Sequence, residues 1–127
     1  MMMRRQLLLD YIASVWTRPM DDRHDCARFA DGWYQRVRGE SLMPFTYRSP
    51  ARGLARLRKM GFADHVAYLA SRLEECPVAL GQVGDIAALP GTEYPALGIV
   101  QGEGIYAPLP EGKTVMALTD AVRMFRL

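Results

Sequence analysis

The chain has 127 residues, half of them hydrophobic, with 16 basic and 14 acidic side chains and a formal net charge of +2. This length and composition predict one domain with its own core. The small net charge argues against a nucleic-acid partner. The sequence lacks the apolar run of about 18 residues that a membrane span requires, and its first nine residues do not resemble a signal peptide. We therefore expect a protein of the reducing cytoplasm, or of a particle assembled there.

Helices are predicted in the first part of the chain. Apolar residues recur at helical spacing in the first, second and fourth predicted helices, and proline or glycine follows each of the four helices. Ser49 is a predicted N-cap with proline after it, and Gly39 is a predicted C-cap. The predicted helices are Met3 to about Trp16, Cys26 to Arg38, Pro50 to Met60 and Ala63 to Glu75.

Short strands are predicted from Val83 onward, separated by glycine and proline turns. The predicted strands are Val83 to Leu89, Ala96 to Gln101, Ile105 to Ala107, Thr114 to Leu118 and Arg123 to Leu127, with turns at Gly102 to Gly104 and Pro108 to Gly112 and one helical turn at Thr119 to Val122. Helices followed by an antiparallel sheet predict one α+β domain over residues 1–127. Its helical half covers about 1–76 and its sheet half about 83–127.

Cys26 begins the second predicted helix, directly after Asp25, a predicted N-cap. A helix N-terminus lowers the pKa of a thiol, so Cys26 is a candidate nucleophile. Cys26, Phe29 and Trp33 also share one helical face, which is equally typical of a buried apolar cysteine. The sequence leaves both interpretations open.

A cysteine nucleophile needs a base, normally a histidine. His24 lies two residues before Cys26 and reaches the thiol only through a tight turn. His65 lies in the first turn of the fourth predicted helix, next to Asp64, and we interpret it as a solvated helix residue. The sequence gives weak support to either histidine as the base.

Two further groups of residues bear on ligands and partners. Cys26 and Cys76 are too few for a disulfide framework or a zinc site, and no cofactor is predicted. Arginine is common at protein interfaces, so the arginines around the third helix are candidate partner contacts, although a solvated helix face explains them as well. These arginines are Arg48, Arg52, Arg56 and Arg58.

The order of these motifs resembles the NlpC/P60 superfamily of papain-like cysteine peptidases, which cut peptidoglycan stem peptides. Asp25-Cys26 matches the nucleophile motif of that family, and Gly84-Asp85-Ile86 matches the motif that opens its sheet. Ala96 to Ile99 aligns with the motif that carries the catalytic histidine, with Ala96 at the histidine position. The resemblance implies a papain-like fold whose N-terminal helices pack on a small antiparallel sheet.

The chain is more similar to a small NlpC/P60-like family from phage and prophage tail modules. The similarity rests on Asp25 to Asp31, Tyr47-Arg48-Ser49, Gly84-Asp85, Ala96 to Val100 and Ala121 to Leu127. It implies a virion protein of the tail tip that contacts the tail hub and the central fibre, with the host cytoplasm as its place of assembly. Peptidoglycan is a further implied partner.

Three hypotheses follow. In the first, the chain is a structural or assembly component of a phage tail tip, derived from a peptidase and inactive because Ala96 replaces the base. In the second, it is an active peptidoglycan hydrolase in which Cys26 uses a relocated histidine, with Tyr106 as the third polar group. A third hypothesis is a small cytoplasmic binding module with a papain-like core. An imidazole within hydrogen-bonding reach of the Cys26 sulfur would contradict the first hypothesis and favour the second.

Overall fold

The computed structural model describes residues 3–18, 21, 24–91, 95–109 and 112–127. Its first part contains four helices, and the N-cap residue of each of the last three accepts a backbone hydrogen bond through its side chain. Gly39 is the C-cap of α2. The caps predicted at Asp25, Ser49 and Gly39 are therefore confirmed. The helices are α1 Arg4–Val15, α2 Cys26–Arg38, α3 Pro50–Lys59 and α4 His65–Arg72.

The second part forms a six-stranded sheet in which all neighbouring strands are antiparallel. Its order is β1-β6-β2-β3-β4-β5, so the C-terminal strand lies between β1 and β2. The α+β class is therefore confirmed. The strands are β1 Glu75–Cys76, β2 Ile86–Leu89, β3 Ala96–Val100, β4 Gly104–Leu109, β5 Gly112–Ala117 and β6 Arg123–Phe125.

The helices cover one face of this sheet and leave the other to short 3-10 turns. Cys26, Phe29 and Trp33 of α2 share a buried cluster with Leu97 and Ile99 of β3. A second cluster on the opposite face is completed by residues of the 3-10 turns at Val78–Leu80 and Leu118–Asp120. Successive residues of a strand point to opposite faces, so the hydrophobic strands β2 and β3 contribute to both clusters.

Two predicted boundaries are wrong for physical reasons. Helix α4 ends at Arg72, because Leu73 is extended and the chain then forms β1, which pairs with β6 at the end of the predicted helical half. Strand β2 begins at Ile86, three residues after the predicted start at Val83, because Gly84, with φ of 93°, turns the chain before the strand. The predicted turn at Pro108 to Gly112 falls partly on residues 110–111, which lie outside the described residues.

Within the described ranges, the structure contains no helix that is long and apolar enough to span a membrane.

Trp33 connects α2 to the start of the sheet. Its side chain is fully buried, and its Nε1–H donates to the Gly84 carbonyl over 2.8 Å. Phenylalanine at this position would remove the donor and leave both a cavity and an unsatisfied carbonyl. The hydrogen bond therefore fixes the turn that precedes β2.

We expect Trp33→Phe to lower the free energy of unfolding by about 3 kcal/mol, measured by urea denaturation. Trp16→Phe is the matched control, because Trp16 is half-buried and contacts the Tyr106 ring edge-on. The control should lose about 1 kcal/mol or less. Equal losses in the two variants would show that the Gly84 hydrogen bond does not stabilise the fold.

Candidate functional site

Cys26 is the first residue of α2, and its side chain points into the core. The Asp25 carboxylate caps the helix by accepting from Arg28 N over 2.8 Å. Only 7% of Cys26 is exposed, and it packs in the cluster that contains Phe29 and Leu97. The thiol thus lies at a helix N-terminus and also in the core.

Burial controls the ionisation of this thiol. It raises the pKa of Cys26 to about 12, although the backbone amide of Leu97 acts in the opposite direction. The nearby Asp25 raises the pKa further, while the amides of Cys26 and Ala27 lower it. Burial disfavours a charged thiolate more than a few amide dipoles favour it. At neutral pH the resting thiol is therefore protonated, and the expected activation by the helix N-terminus is outweighed.

His65 lies beside the sulfur, contrary to its interpretation as a solvated residue. It is the first residue of α4 and only 6% exposed, because α4 turns its first residue inward together with Val66 and Leu69. Its Nε2 lies 4.0 Å from Cys26 Sγ. This distance exceeds an ideal hydrogen bond, but such contacts are often loose before substrate binds. The structure brings together a cysteine and a histidine that are 39 residues apart.

The surroundings of His65 both suppress and support its basicity. Burial lowers its pKa, whereas Asp64, the Pro95 carbonyl and Asp25 raise it. The Pro95 carbonyl accepts a hydrogen bond from the ring and thereby restricts its orientation. The histidine is consequently neutral at pH 7, with two carboxylates near enough to stabilise a transient positive charge.

His24, the other candidate base, lies in a different environment. It is 3% exposed, packs edge-to-face against Phe29 with 6.4 Å between ring centroids, and lines a groove with Arg28 and Tyr47. Its backbone forms an isolated bridge with Asp21. His24 therefore belongs to the groove, whereas His65 contacts the sulfur.

Position 96 is not one from which a histidine side chain would reach Cys26. It pairs with Leu89 across the strands and packs with the cluster on the far face of the sheet. The neighbouring Leu97 packs with Cys26 on the helix face. Because strand side chains alternate, an imidazole at position 96 in this register would point away from the thiol. Its absence therefore does not remove a base from Cys26.

A tyrosine that the sequence interpretation missed holds the cap in place. Tyr47 Oη lies 2.8 Å from each Asp25 carboxylate oxygen, and it donates to this carboxylate. Burial raises the pKa of Tyr47 far above its ordinary value, and Asp25 raises it further, so the phenol stays protonated. The Tyr-Arg-Ser motif was the available signal. Tyr106, in contrast, packs edge-on against Trp16 with 5.4 Å between centroids.

The four candidate partner-contact arginines are exposed. Arg56 stacks over the Phe45 ring at 4.5 Å, and Arg58 Nε donates to the Ala63 carbonyl over 3.2 Å. Arg48 directly precedes Ser49, the N-cap of α3, and Arg52 lies in the first turn of that helix. Their exposure fits either a solvated face or a contact surface.

No group of three or more His, Cys, Asp or Glu side chains is arranged to hold a metal ion in the part of the chain that the structure describes. The reactive groups that the structure brings together at Cys26 are a thiol and an imidazole.

A family model described as a domain of unknown function (DUF6950) matches residues 2–127, and the chain belongs to this family. No curated protein matches the chain.

His65 makes the stability of the fold depend on pH. Burial lowers its folded pKa below the unfolded value of about 6.5, so the unfolded chain binds the proton more readily. Its contribution is present above pH 6.5 and is lost as the pH falls. We expect His65→Gln to reduce the loss of unfolding free energy between pH 7 and pH 5, measured by urea denaturation. The carboxylates common to both proteins cancel in this comparison. An unchanged pH dependence would contradict a neutral, buried His65.

Proposed function

We propose that the chain is a papain-like cysteine hydrolase domain in which Cys26 is the nucleophile and His65 the general base. The observation that carries the proposal is the 4.0 Å approach of His65 Nε2 to Cys26 Sγ. This approach supports an active site with a relocated base over an inactive relative. The position of Ala96 on the far face of the sheet supports the same choice.

In the proposed mechanism, His65 Nε2 takes the thiol proton while the sulfur attacks the carbonyl carbon of an amide. The tetrahedral intermediate collapses, the imidazolium protonates the leaving amine, and a thioester remains on Cys26. Water, deprotonated by His65, then hydrolyses the thioester and restores the thiol. The amides of Leu97 and Ala27, which already lower the thiol pKa, stabilise negative charge near the sulfur.

The resemblance to NlpC/P60 proteins supplies the proposed substrate and location. The substrate is an amide bond of a peptidoglycan stem peptide, and the protein is a component of a phage or phage-like tail tip. In this role the hub and the central fibre are its partners in the virion, and the hydrolase opens the cell wall during infection.

A second candidate function is a tail-tip component without hydrolysis, and the burial of the pair favours it. Burial raises the pKa of the Cys26 thiol and lowers the pKa of the His65 imidazole, so that transfer of the proton from sulfur to ring is unfavourable in the closed site. Hydrolysis therefore requires substrate or water to enter beside the sulfur. If the site never opens, Cys26 and His65 act only as core residues.

Purified sacculi distinguish the two functions. We expect the full chain to release new amino groups from sacculi, and Cys26→Ala and His65→Ala each to lower the rate by at least about a hundredfold. Cys76→Ala is the matched control, since Cys76 is buried in the other cluster, and it should retain activity. His24→Ala should also remain active. A folded wild-type protein that releases no amino groups would refute the hydrolase and favour the structural role.

A further inference from the structure

The two edges of the sheet differ in length and in protection. In the described part of the chain, the outermost strands are β1 and β5. Strand β1 has two residues, its Glu75 forms an ion pair with Arg123, and Pro77, which has no N–H, follows it. Strand β5 has six residues and pairs with β4 along its whole length. Because short strands, charges and proline prevent further pairing, β1 is the protected edge and β5 is the edge at which the sheet can be extended.

The backbone of Val115, in the middle of β5, is directed away from β4. Leu118 N donates to the Glu103 carbonyl over 3.2 Å, just beyond the last paired residues of the two strands. In an antiparallel pair, hydrogen-bonded positions alternate with positions whose N–H and C=O point outward. Val115 lies three residues before Leu118 and opposite Tyr106, so it occupies a position of the second kind. Its N–H and C=O therefore face the outer side of the sheet.

The next outward amide of β5 has a partner, whereas that of Val115 does not. Ala117 N donates to Asp120 Oδ2 over 3.1 Å, as expected for an amide that points away from β4. Among the described residues, the N–H and C=O of Val115 form no hydrogen bond on the outer side of the strand. An extended strand with such groups is a template for pairing with another strand.

The side chain of Val115 is exposed as well. It lies opposite Tyr106 on the helix face of the sheet, and 51% of it is accessible to solvent. Trp16, at the end of α1, packs on Tyr106, and β5 lies beyond this contact at the edge of the sheet. Met116 points to the opposite face, where it packs against the second cluster. An exposed β-branched side chain thus occupies the middle of the edge that can be extended.

We propose that β5 pairs with β5 of a second copy of this chain, antiparallel and about a two-fold axis at Val115. In this register the two Val115 residues exchange both of their backbone hydrogen bonds. The strand is self-complementary, because the valines meet on one face and Thr114 meets Met116 of the other copy on the opposite face. Strand β1, with two residues, is too short to pair with most of β5, so the contact closes as a dimer.

The size of this contact predicts a weak and reversible dimer. A strand of six residues is about 20 Å long, and one pair of such strands buries less than the roughly 1,200 Å² of a stable interface. We therefore expect a dissociation constant of about 100 µM, measured by sedimentation velocity of the full chain between about 10 µM and 1 mM. Over the same range, hydrogen exchange of the Val115 amide should slow as the concentration rises.

Two substitutions at one position test the role of the outward amide. Val115→Pro removes the N–H that faces the second copy and leaves the hydrogen bonds to β4 intact, since proline is tolerated where the N–H of an edge strand faces solvent. We expect it to weaken dimerisation at least about tenfold. Val115→Thr is the matched control, because threonine keeps the N–H and the β-branched shape, and it should change the dissociation constant by less than about threefold.

Each other outcome would overturn the proposal. A wild-type chain that stays monomeric at about 1 mM would exclude self-association at this affinity and leave the β5 edge to a strand of another protein. Equal dimerisation of the wild type and a folded Val115→Pro would place the contact elsewhere on the molecule. If Val115→Pro does not fold, exchange of the wild-type Val115 amide decides, and exchange that is independent of concentration refutes the pairing. None of these outcomes depends on hydrolysis at Cys26.

Discussion

The buried carboxylate of Asp25 is the constraint on which the central part of the structure depends. It caps α2 by accepting a hydrogen bond from Arg28 N, and it accepts a second hydrogen bond from the hydroxyl of Tyr47. The cap fixes where the helix begins, and the tyrosine fixes the loop that leads to α3. Cys26 follows Asp25 directly, so the position of its sulfur is set by the same carboxylate. A buried charge is tolerated only when such donors compensate it.

Helix α2 separates two kinds of surface from each other. One side packs Phe29 and Trp33 on the sheet and holds the thiol in a dry environment. Another side carries arginines and remains open to solvent in a groove. Arg28 and Tyr47 connect the two, because both contact the cap region and both line the groove. The loop that secures the cap above Cys26 therefore also forms a wall of the groove.

The features that the sequence predicts well are local ones. The caps at Asp25, Ser49 and Gly39 depend on neighbouring residues, and the inward face of α2 follows from helical spacing. Strand β1 and the partner of Cys26 depend instead on residues far along the chain. The two-residue β1 exists because β6 pairs with it, and no local pattern indicates that His65 reaches the thiol.

The positions of Ala96 and His65 show why a sequence motif alone does not identify the imidazole that lies beside Cys26. The resemblance to NlpC/P60 proteins places a histidine at the position of Ala96, but the register of β3 turns that side chain to the opposite face of the sheet. The imidazole instead comes from the start of α4, and the Pro95 carbonyl, next to Ala96, accepts from its ring. The pair that results is neutral because both groups are buried, and it differs in this respect from an exposed thiolate–imidazolium pair. In the proposed hydrolase, access of water and substrate to the sulfur would therefore limit the reaction more than the identity of the base.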